Sequence, residues 1–167
     1  MHNSFTRRTY TDFGQFISDL FFPLAQSGEI KSLQKKGEIS PAFRERLMLA
    51  VTGVNKCRYC TWAHTKEALK SGVNRDEINS LLASDFKTCP PDEIPAILYA
   101  QHWAESNARP DPEMVARLHE IYGEGKSHDI HLILRMIRAG NLTGNTLDYF
   151  LHRISFGRWG GKTPSTA

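Results

Sequence analysis

The sequence predicts an all-α protein, because apolar residues recur at helical spacing along most of the chain while strand signals are sparse. Residues that cap helices mark several boundaries, such as Ser40 followed by Pro41, and Asn74 followed three positions later by Glu77. The sequence contains no alternating apolar run and no Asn-Gly hairpin signal. With 40% hydrophobic and 23% charged residues, the composition indicates a folded domain with a hydrophobic core.

The first two predicted helices differ in how much of their surface is apolar. The first begins at Asp12, which forms a capping box with Gln15. Its apolar face consists of Phe13, Phe16, Ile17, Leu20, Phe21 and Leu24. The second begins after Ser40 and carries no charge between Arg46 and Lys56. We therefore expect the second helix to be buried on almost every side and to lie at the centre of the fold.

The remaining helices are predicted from caps and glycine stops. One carries the sequence CRYCTWAH and ends near Ser71, where Gly72 stops it, and the next begins at Asn74. Later helices are predicted over residues 92–107, from residue 111 to a stop at Gly123, over 127–139 and over 145–154. We predict an N-terminal helical extension over 1–37, a core domain over 38–155 and a flexible C-terminal tail over 156–167.

Charge and apolar content exclude several classes of function. The net charge of +3 is small and scattered, which argues against nucleic acid as a partner. No run approaches the roughly 18 apolar residues of a membrane span, and no apolar run follows the N-terminal charges. We therefore expect a cytoplasmic protein that binds neither nucleic acid nor membranes. Three cysteines are too few for a disulfide framework, so a close pair indicates redox, catalytic or metal-binding chemistry.

The most informative stretch is VNKCRYCTWAHTKEALKSGV, residues 54–73. Spacings of three and four residues place Cys57, Cys60 and His64 on one face of a helix. Cys57 lies near the helix N-terminus, where the helix dipole favours a thiolate, and His64 can exchange a proton with Cys60. Glu45 belongs to the preceding apolar helix. If that helix folds back across the intervening turn, Glu45 comes to lie beside the face that carries the two cysteines and His64. A glutamate and a histidine close together make a proton relay for a thiol.

Other interpretations of the same residues remain open at this point. A zinc site could combine the two cysteines and His64 with Cys89 or His102 as the fourth ligand, although the usual second pair of ligands is missing. The cysteines could also be ordinary core residues. Haem attachment requires a histidine directly after the second cysteine, and Thr61 occupies that position, so we set haem aside.

The pattern Glu45-x11-Cys57-x2-Cys60-x3-His64 resembles the signature of the AhpD-like alkylhydroperoxidases, within the carboxymuconolactone decarboxylase superfamily. The stretches CRYCTWAHTKEALKSGVNRDEINSLL, EIPAILYAQHWAE and IHLILRMIRAGNLTGNTLDYF are also similar to that family, so the resemblance covers about residues 38–155. It implies the AhpD-like helical fold with an extra N-terminal helix. It also implies a homo-trimer or homo-hexamer with its active site near a subunit interface. The cysteine pair argues against the lactone decarboxylase branch, which generally lacks it.

The resemblance implies thiol-dependent reduction of a hydroperoxide, with no metal or other cofactor. Cys60 would attack the peroxide, Cys57 would close the disulfide, and His64 with Glu45 would relay protons. An external dithiol of lipoyl or thioredoxin type would restore the pair. The chain has Tyr59 where the best-known members have a second histidine, and tyrosine carries protons poorly at neutral pH. Its position at the helix start alone would make Cys57 the more acidic thiol, whereas pairing with His64 favours Cys60. Which of the two cysteines attacks the peroxide therefore stays open. The alternative is a redox-sensing or zinc-binding module without turnover.

Overall fold

The fold is described by a computed structural model for residues 5–160, apart from the side chains of residues 34–36. Its helices are α1 (Phe13–Ala25), α2 (Ser27–Lys36), α3 (Pro41–Asn55), α4 (Arg58–Lys70), α5 (Arg75–Leu82), α6 (Ile94–Glu105) and α7 (Pro112–Ile154). Residues 5–160 contain no strand, which confirms the prediction of an all-α protein. None of the helices in this range combines the length and the apolar character needed to cross a membrane.

Side-chain caps begin the helices where the sequence predicts them. The Asp12 carboxylate accepts a hydrogen bond from the Gln15 backbone N–H at 2.7 Å and so caps α1. The Ser40 hydroxyl caps α3 and the Asn74 side chain caps α5 in the same way. The sequence analysis did not predict α2, because two apolar residues, Ile30 and Leu33, show too little periodicity to mark a helix.

The C-terminal part of the chain differs from the prediction in one respect. Gly123 breaks α7 with backbone angles of φ 73° and ψ 167°, so the predicted stop at this glycine is confirmed. The prediction of separate helices over 127–139 and 145–154 is wrong, because α7 continues from residue 124 to Ile154 without a second break. Asn141 and Asn145 are buried and bonded to other parts of the chain. The hydrogen bonds of these two asparagines offset the low helix propensity of residues 140–144, which separate the two predicted helices.

Helix α3 lies at the centre of the fold and packs against α4, α5, α6 and α7. Its apolar side chains Leu47, Leu49 and Val51 have no solvent exposure, which confirms the expectation of a central helix. Gly53 allows the close approach of α5, since a Cβ atom at this position would lie 2.8 Å from the Leu82 carbonyl oxygen. The packing therefore depends on a glycine as well as on apolar side chains.

The segment before α1 and the residues after α7 meet on the C-terminal part of α7. The Arg7 guanidinium binds the Asp148 carboxylate at 2.6 Å and also donates to the Gly160 carbonyl. Helix α1 is held on α7 by an ion pair between Asp19 and Arg138 at 2.9 Å. Residues 1–4 and 161–167 of the predicted extension and tail lie outside the described residues. The domain limits proposed from the sequence stay a prediction.

We expect Gly140→Ala to stabilise the protein by about 0.5–1 kcal/mol, because alanine is the better helix former inside a continuous helix. A Cβ atom at this position meets nothing within 4 Å. The free energy of unfolding, measured in urea, checks this. Gly53→Ala is the matched control and should destabilise by about 1–3 kcal/mol through overpacking. A destabilised Gly140→Ala variant would contradict the continuity of α7.

Candidate functional site

The turn between α3 and α4 places Cys57 at the N-terminal cap of a helix. α3 ends at Asn55, and Lys56 adopts a left-handed conformation with φ 57°. Cys57 follows as the N-terminal cap of α4, with its sulfur accepting a hydrogen bond from the Cys60 backbone N–H at 3.3 Å. The sulfur thus occupies the place of the usual capping oxygen, where the helix dipole stabilises negative charge.

The two cysteine sulfurs are adjacent. Their Sγ atoms lie 2.6 Å apart, and both cysteines are free thiols. Cys57 is completely buried, whereas Cys60 is half-buried. The arrangement therefore joins one inaccessible and one accessible sulfur, with a shared hydrogen bond between them.

The two thiols differ in acidity. The hydrogen bond with Cys60 lowers the pKa of Cys57 to about 7, and the backbone N–H groups of Cys60 and Tyr59 and the charge of Arg7 act in the same direction, against the effect of burial. The hydrogen bond to Cys57 and burial raise the pKa of Cys60. Once the pair has lost one proton, the negative charge lies on Cys57 and the remaining proton on Cys60.

The structure brings Glu45 and His64 together. The His64 Nδ1 atom lies 2.7 Å from the Glu45 carboxylate, which is also bound by the Arg44 guanidinium at 3.3 Å. Glu45 is 2% exposed, so burial in α3 fixes the carboxylate. His64 lies one helical turn after Cys60 on α4, and the Glu45 contact orients its ring.

A cavity of about 230 Å³ opens beside this carboxylate–histidine pair. Its apolar walls come from three helices and include Ile30 and Leu33 of α2, Met48 of α3, and Ile133 and Met136 of α7. An engineered apolar cavity of about 150 Å³ holds benzene. The cavity can therefore accept a small organic group next to His64.

A buried asparagine of α7, Asn141, lies beside the dithiol. Asn141 accepts a hydrogen bond from Asn55 at 3.1 Å and donates to the Thr52 hydroxyl at 3.2 Å. Asn141 also lies in hydrogen-bond contact with Cys60. This contact lowers the pKa of the Cys60 thiol, but the neighbouring Cys57 and burial raise it more. The sequence signal for such residues is an asparagine inside an otherwise apolar helix.

Tyr59 is tied to a buried ion cluster. Its hydroxyl donates to the Asp148 carboxylate at 2.8 Å and accepts from the Arg58 guanidinium at 2.7 Å. Arg58 and Arg7 also bind the same carboxylate, which has no solvent exposure. The sequence analysis did not single out Arg7 or Asp148 for a role at the site, because nothing local marks an aspartate that pairs with an arginine 141 positions away.

Gly144 lies against the site. A Cβ atom there would be 3.2 Å from the Cys57 sulfur and 3.3 Å from the Tyr59 ring. Both distances are shorter than ordinary carbon contacts, so any side chain would press on the buried sulfur. The sequence analysis missed this residue, since a glycine in a predicted break between helices has an ordinary explanation.

The ligand set that the zinc alternative requires does not form. Within residues 5–160, no three histidine, cysteine or acidic side chains are grouped to hold a metal ion. Cys89 lies beside Glu77 in a buried network with Arg46, and burial raises its pKa to about 11. His102 accepts a hydrogen bond from the Asp111 backbone N–H at 3.2 Å. Neither residue supplies a fourth ligand to the cysteine pair.

We expect the ultraviolet absorbance of the thiolate in the reduced protein to rise with pH through a midpoint near 7, because the thiolate of Cys57 forms as pH increases through its pKa. Cys60→Ala removes the hydrogen bond that contributes most to this low value. The midpoint of Cys57 should then move up toward that of an ordinary thiol. A pH titration of the thiolate absorbance measures both midpoints, and an unchanged midpoint in Cys60→Ala would contradict the account of the pair.

Gly144→Ala should raise the same midpoint, because the added methyl group displaces the Cys57 sulfur and weakens its bond to Cys60. The ultraviolet absorbance of the thiolate, followed during a pH titration, measures the shift. Gly140→Ala is the matched control, since it lies one turn earlier on α7 and its methyl group touches nothing. Equal titration curves for the two variants would refute the contact.

Comparisons with known proteins agree with this architecture. The model of the Carboxymuconolactone decarboxylase family matches residues 26–106, from α2 to the end of α6. The uncharacterized protein YdfG of Bacillus subtilis (strain 168) is 30% identical over 118 residues, which represent 68% of this chain and 78% of that protein. No solved structure matches the chain significantly. The helical fold, the family model and this relative together show that the chain belongs to the carboxymuconolactone decarboxylase family.

Proposed function

We propose that the protein is a dithiol oxidoreductase that reduces hydroperoxides through Cys57 and Cys60, in the manner of the AhpD-like alkylhydroperoxidases. The observation that carries this proposal is the pair of free sulfurs 2.6 Å apart, of which one is acidic and buried and the other accessible. The Glu45–His64 pair beside an apolar cavity supports it. Such a site can attack an electrophilic oxygen and then close a disulfide.

In the proposed reaction, the proton of the Cys60 thiol passes to His64 as the sulfur attacks, so that two adjacent thiolates do not coexist, while Glu45 holds the imidazole through Nδ1. The Cys60 sulfur attacks the outer peroxide oxygen, the O–O bond breaks, and Cys60 becomes a sulfenic acid. The departing alkoxide takes the proton from His64 and leaves as an alcohol. The Cys57 thiolate then attacks the Cys60 sulfur and expels hydroxide, which leaves as water after it takes from solvent the proton that Cys57 released on ionising.

The different burial of the two sulfurs suits this order. Cys60 is the sulfur that a substrate can reach, whereas Cys57 is completely buried and attacks only its neighbour. In the return step, an external dithiol of lipoyl or thioredoxin type would attack Cys60 and release Cys57. A thiol with a low pKa is the better leaving group, so the acidity of Cys57 favours re-reduction.

We propose that the chain works as a homo-trimer or homo-hexamer. Large apolar side chains are exposed on two helices, among them Phe13 and Leu24 of α1 and Leu147 and Phe150 of α7. Exposed apolar groups of this size favour association with other subunits. A redox sensor that uses the same cysteines without turnover is the alternative function, and turnover with an added dithiol distinguishes the two.

Stopped-flow mixing of the reduced protein with hydrogen peroxide and with cumene hydroperoxide tests the proposal. Free thiols are counted before and after the reaction, and zinc is assayed in the same sample. We expect two thiols to disappear, faster with the organic peroxide, and dihydrolipoamide to restore them. Thiols that stay unreactive toward both peroxides would refute the proposed activity.

We expect His64→Ala to slow peroxide-dependent loss of thiols by about 10²-fold or more, the usual contribution of a general acid–base group. Glu45→Gln should give a smaller loss, since the amide can still contact the ring but no longer stabilises an imidazolium. Exposed His119 provides the matched control His119→Ala. Circular dichroism establishes that each variant is folded, and a His64→Ala rate equal to that of the control would remove His64 from the mechanism.

A further inference from the structure

A second cavity, of about 290 Å³, lies between α1, α6 and α7. No described residue lines both this cavity and the one beside His64. It is larger than the engineered cavity of about 150 Å³ that holds benzene, so a ring with a small substituent fits. Most of its lining side chains are polar or charged, among them Asp19, Trp103, Arg135 and Arg138. This lining indicates a ligand that has a polar group as well as an apolar body.

Arg135 presents hydrogen-bond donors at the solvent-exposed edge of the cavity. Its guanidinium carbon lies 4.1 Å from the centre of the Phe22 ring. Phe22 is buried, so the contact holds the guanidinium in a defined position. Among the described residues, the Arg135 side chain has no acidic partner and no hydrogen-bond acceptor. Its N–H groups are therefore available to a ligand.

Trp103 adds a donor in the wall that α6 contributes. The residue is 4% exposed, and a buried tryptophan usually finds a hydrogen-bond partner for its indole N–H. Among the described residues the Trp103 indole has no such partner, and its nitrogen is not one of the unpaired atoms that protein completely encloses. The small accessible part of Trp103, which lines the cavity, therefore includes the N–H group. A ligand in the cavity can supply the missing acceptor.

The acidic residue of the cavity is neutralised by a partner of its own. The Asp19 carboxylate accepts hydrogen bonds from Arg138 at 2.9 Å and from the Tyr10 hydroxyl at 3.0 Å. A second nitrogen of the Arg138 guanidinium donates to the Asn107 side chain at 2.9 Å. Asp19 and Arg138 thus form a balanced ion pair, and Arg135 gives the lining a surplus positive charge.

His131 also lines the cavity, but it adds neither charge nor a free donor. Its Nδ1 atom lies 3.0 Å from the Ser127 carbonyl oxygen, which can only accept, so the proton is on Nδ1. Its Nε2 atom then accepts a hydrogen bond from the Tyr99 hydroxyl at 2.5 Å. Burial lowers the pKa of His131 and keeps the ring neutral. The surplus charge of the cavity is therefore that of Arg135.

We propose that this cavity binds a small molecule with a carboxylate group on an apolar body. Arg135 and the Trp103 indole donate hydrogen bonds to the carboxylate, whose oxygens only accept when it is ionised. The charge of Arg135 makes its hydrogen bond stronger than a neutral one. The Trp103 ring and the Ala108 methyl group offer apolar surface to the rest of the ligand. The site contains none of the dithiol residues, so the inference does not depend on the proposed function.

Benzoate and hexanoate test the proposal with a ring and a chain as the apolar body, and benzyl alcohol is the uncharged control. Binding is followed by the proton NMR signals of the indole N–H groups, and Trp103→Phe identifies the Trp103 signal. We expect at least one of the carboxylates to move this signal downfield in a saturable manner, because the N–H gains an acceptor. The signals of exposed Trp62 and Trp159 should stay in place. Benzyl alcohol should bind about tenfold more weakly or not at all.

Arg135→Gln is compared with Arg153→Gln, which removes an exposed arginine from the same helix outside the cavity. We expect the dissociation constant of the bound carboxylate to rise about tenfold in Arg135→Gln and to keep the parent value in Arg153→Gln. Ser18→Phe is a second variant, at an exposed position of α1 that lines the cavity. It places a ring in the cavity without a change of charge and should also weaken binding. Circular dichroism establishes that each variant is folded.

A Trp103 signal that neither carboxylate moves would overturn the inference. Equal dissociation constants for Arg135→Gln and Arg153→Gln would do the same, even if the carboxylate binds. Inorganic phosphate is titrated as a further probe, because it is an anion without an apolar body. Phosphate that moves the Trp103 signal with the same affinity as the carboxylates would overturn the assignment of an organic carboxylate.

Discussion

The burial of α3 on nearly every side is the constraint on which the rest of the structure depends. A helix in this position needs a partner for each of its polar side chains, because an unpaired buried charge costs more than a paired one contributes. Glu45 finds His64 on α4, and Arg46 finds Glu77 on α5 at 2.5 Å. Asn55, at the end of the helix, bonds to α7. These contacts fix α3 relative to its neighbours and so fix where α4 begins.

The beginning of α4 then determines the chemistry of the site. The cap position gives Cys57 a backbone hydrogen bond and full burial, while Cys60 one turn later remains accessible. In the proposed mechanism, the two sulfurs therefore have separate tasks, one as a stabilised anion and one as the contact for substrate and reductant. Tyr59 belongs to the anchoring of this turn, because its hydroxyl binds Asp148. In the proposed mechanism, Glu45 and His64 form the proton relay.

The sequence predicted those features of the fold and of the site that depend on interactions between residues close together in the chain. The caps at Ser40 and Asn74 and the helical spacing from Cys57 to His64 depend on residues within a few positions, so the sequence was sufficient. Helix α2 carries too few apolar residues to be recognised. The continuity of α7 through Asn141 depends on partners on α3, and the Arg7–Asp148 pair joins opposite ends of the chain. Such long-range contacts leave no periodic pattern in the sequence.

The most direct test of the central claim is to trap the first oxidised sulfur. The Cys57→Ser variant is treated with one equivalent of cumene hydroperoxide in the presence of dimedone, which labels sulfenic acids, and the label is located by peptide mass spectrometry. The account predicts a label on Cys60, and little label on Cys57 in the matched Cys60→Ser variant. A label mainly on Cys57, or none on either cysteine, would contradict the assignment of the accessible sulfur as the one that meets the peroxide.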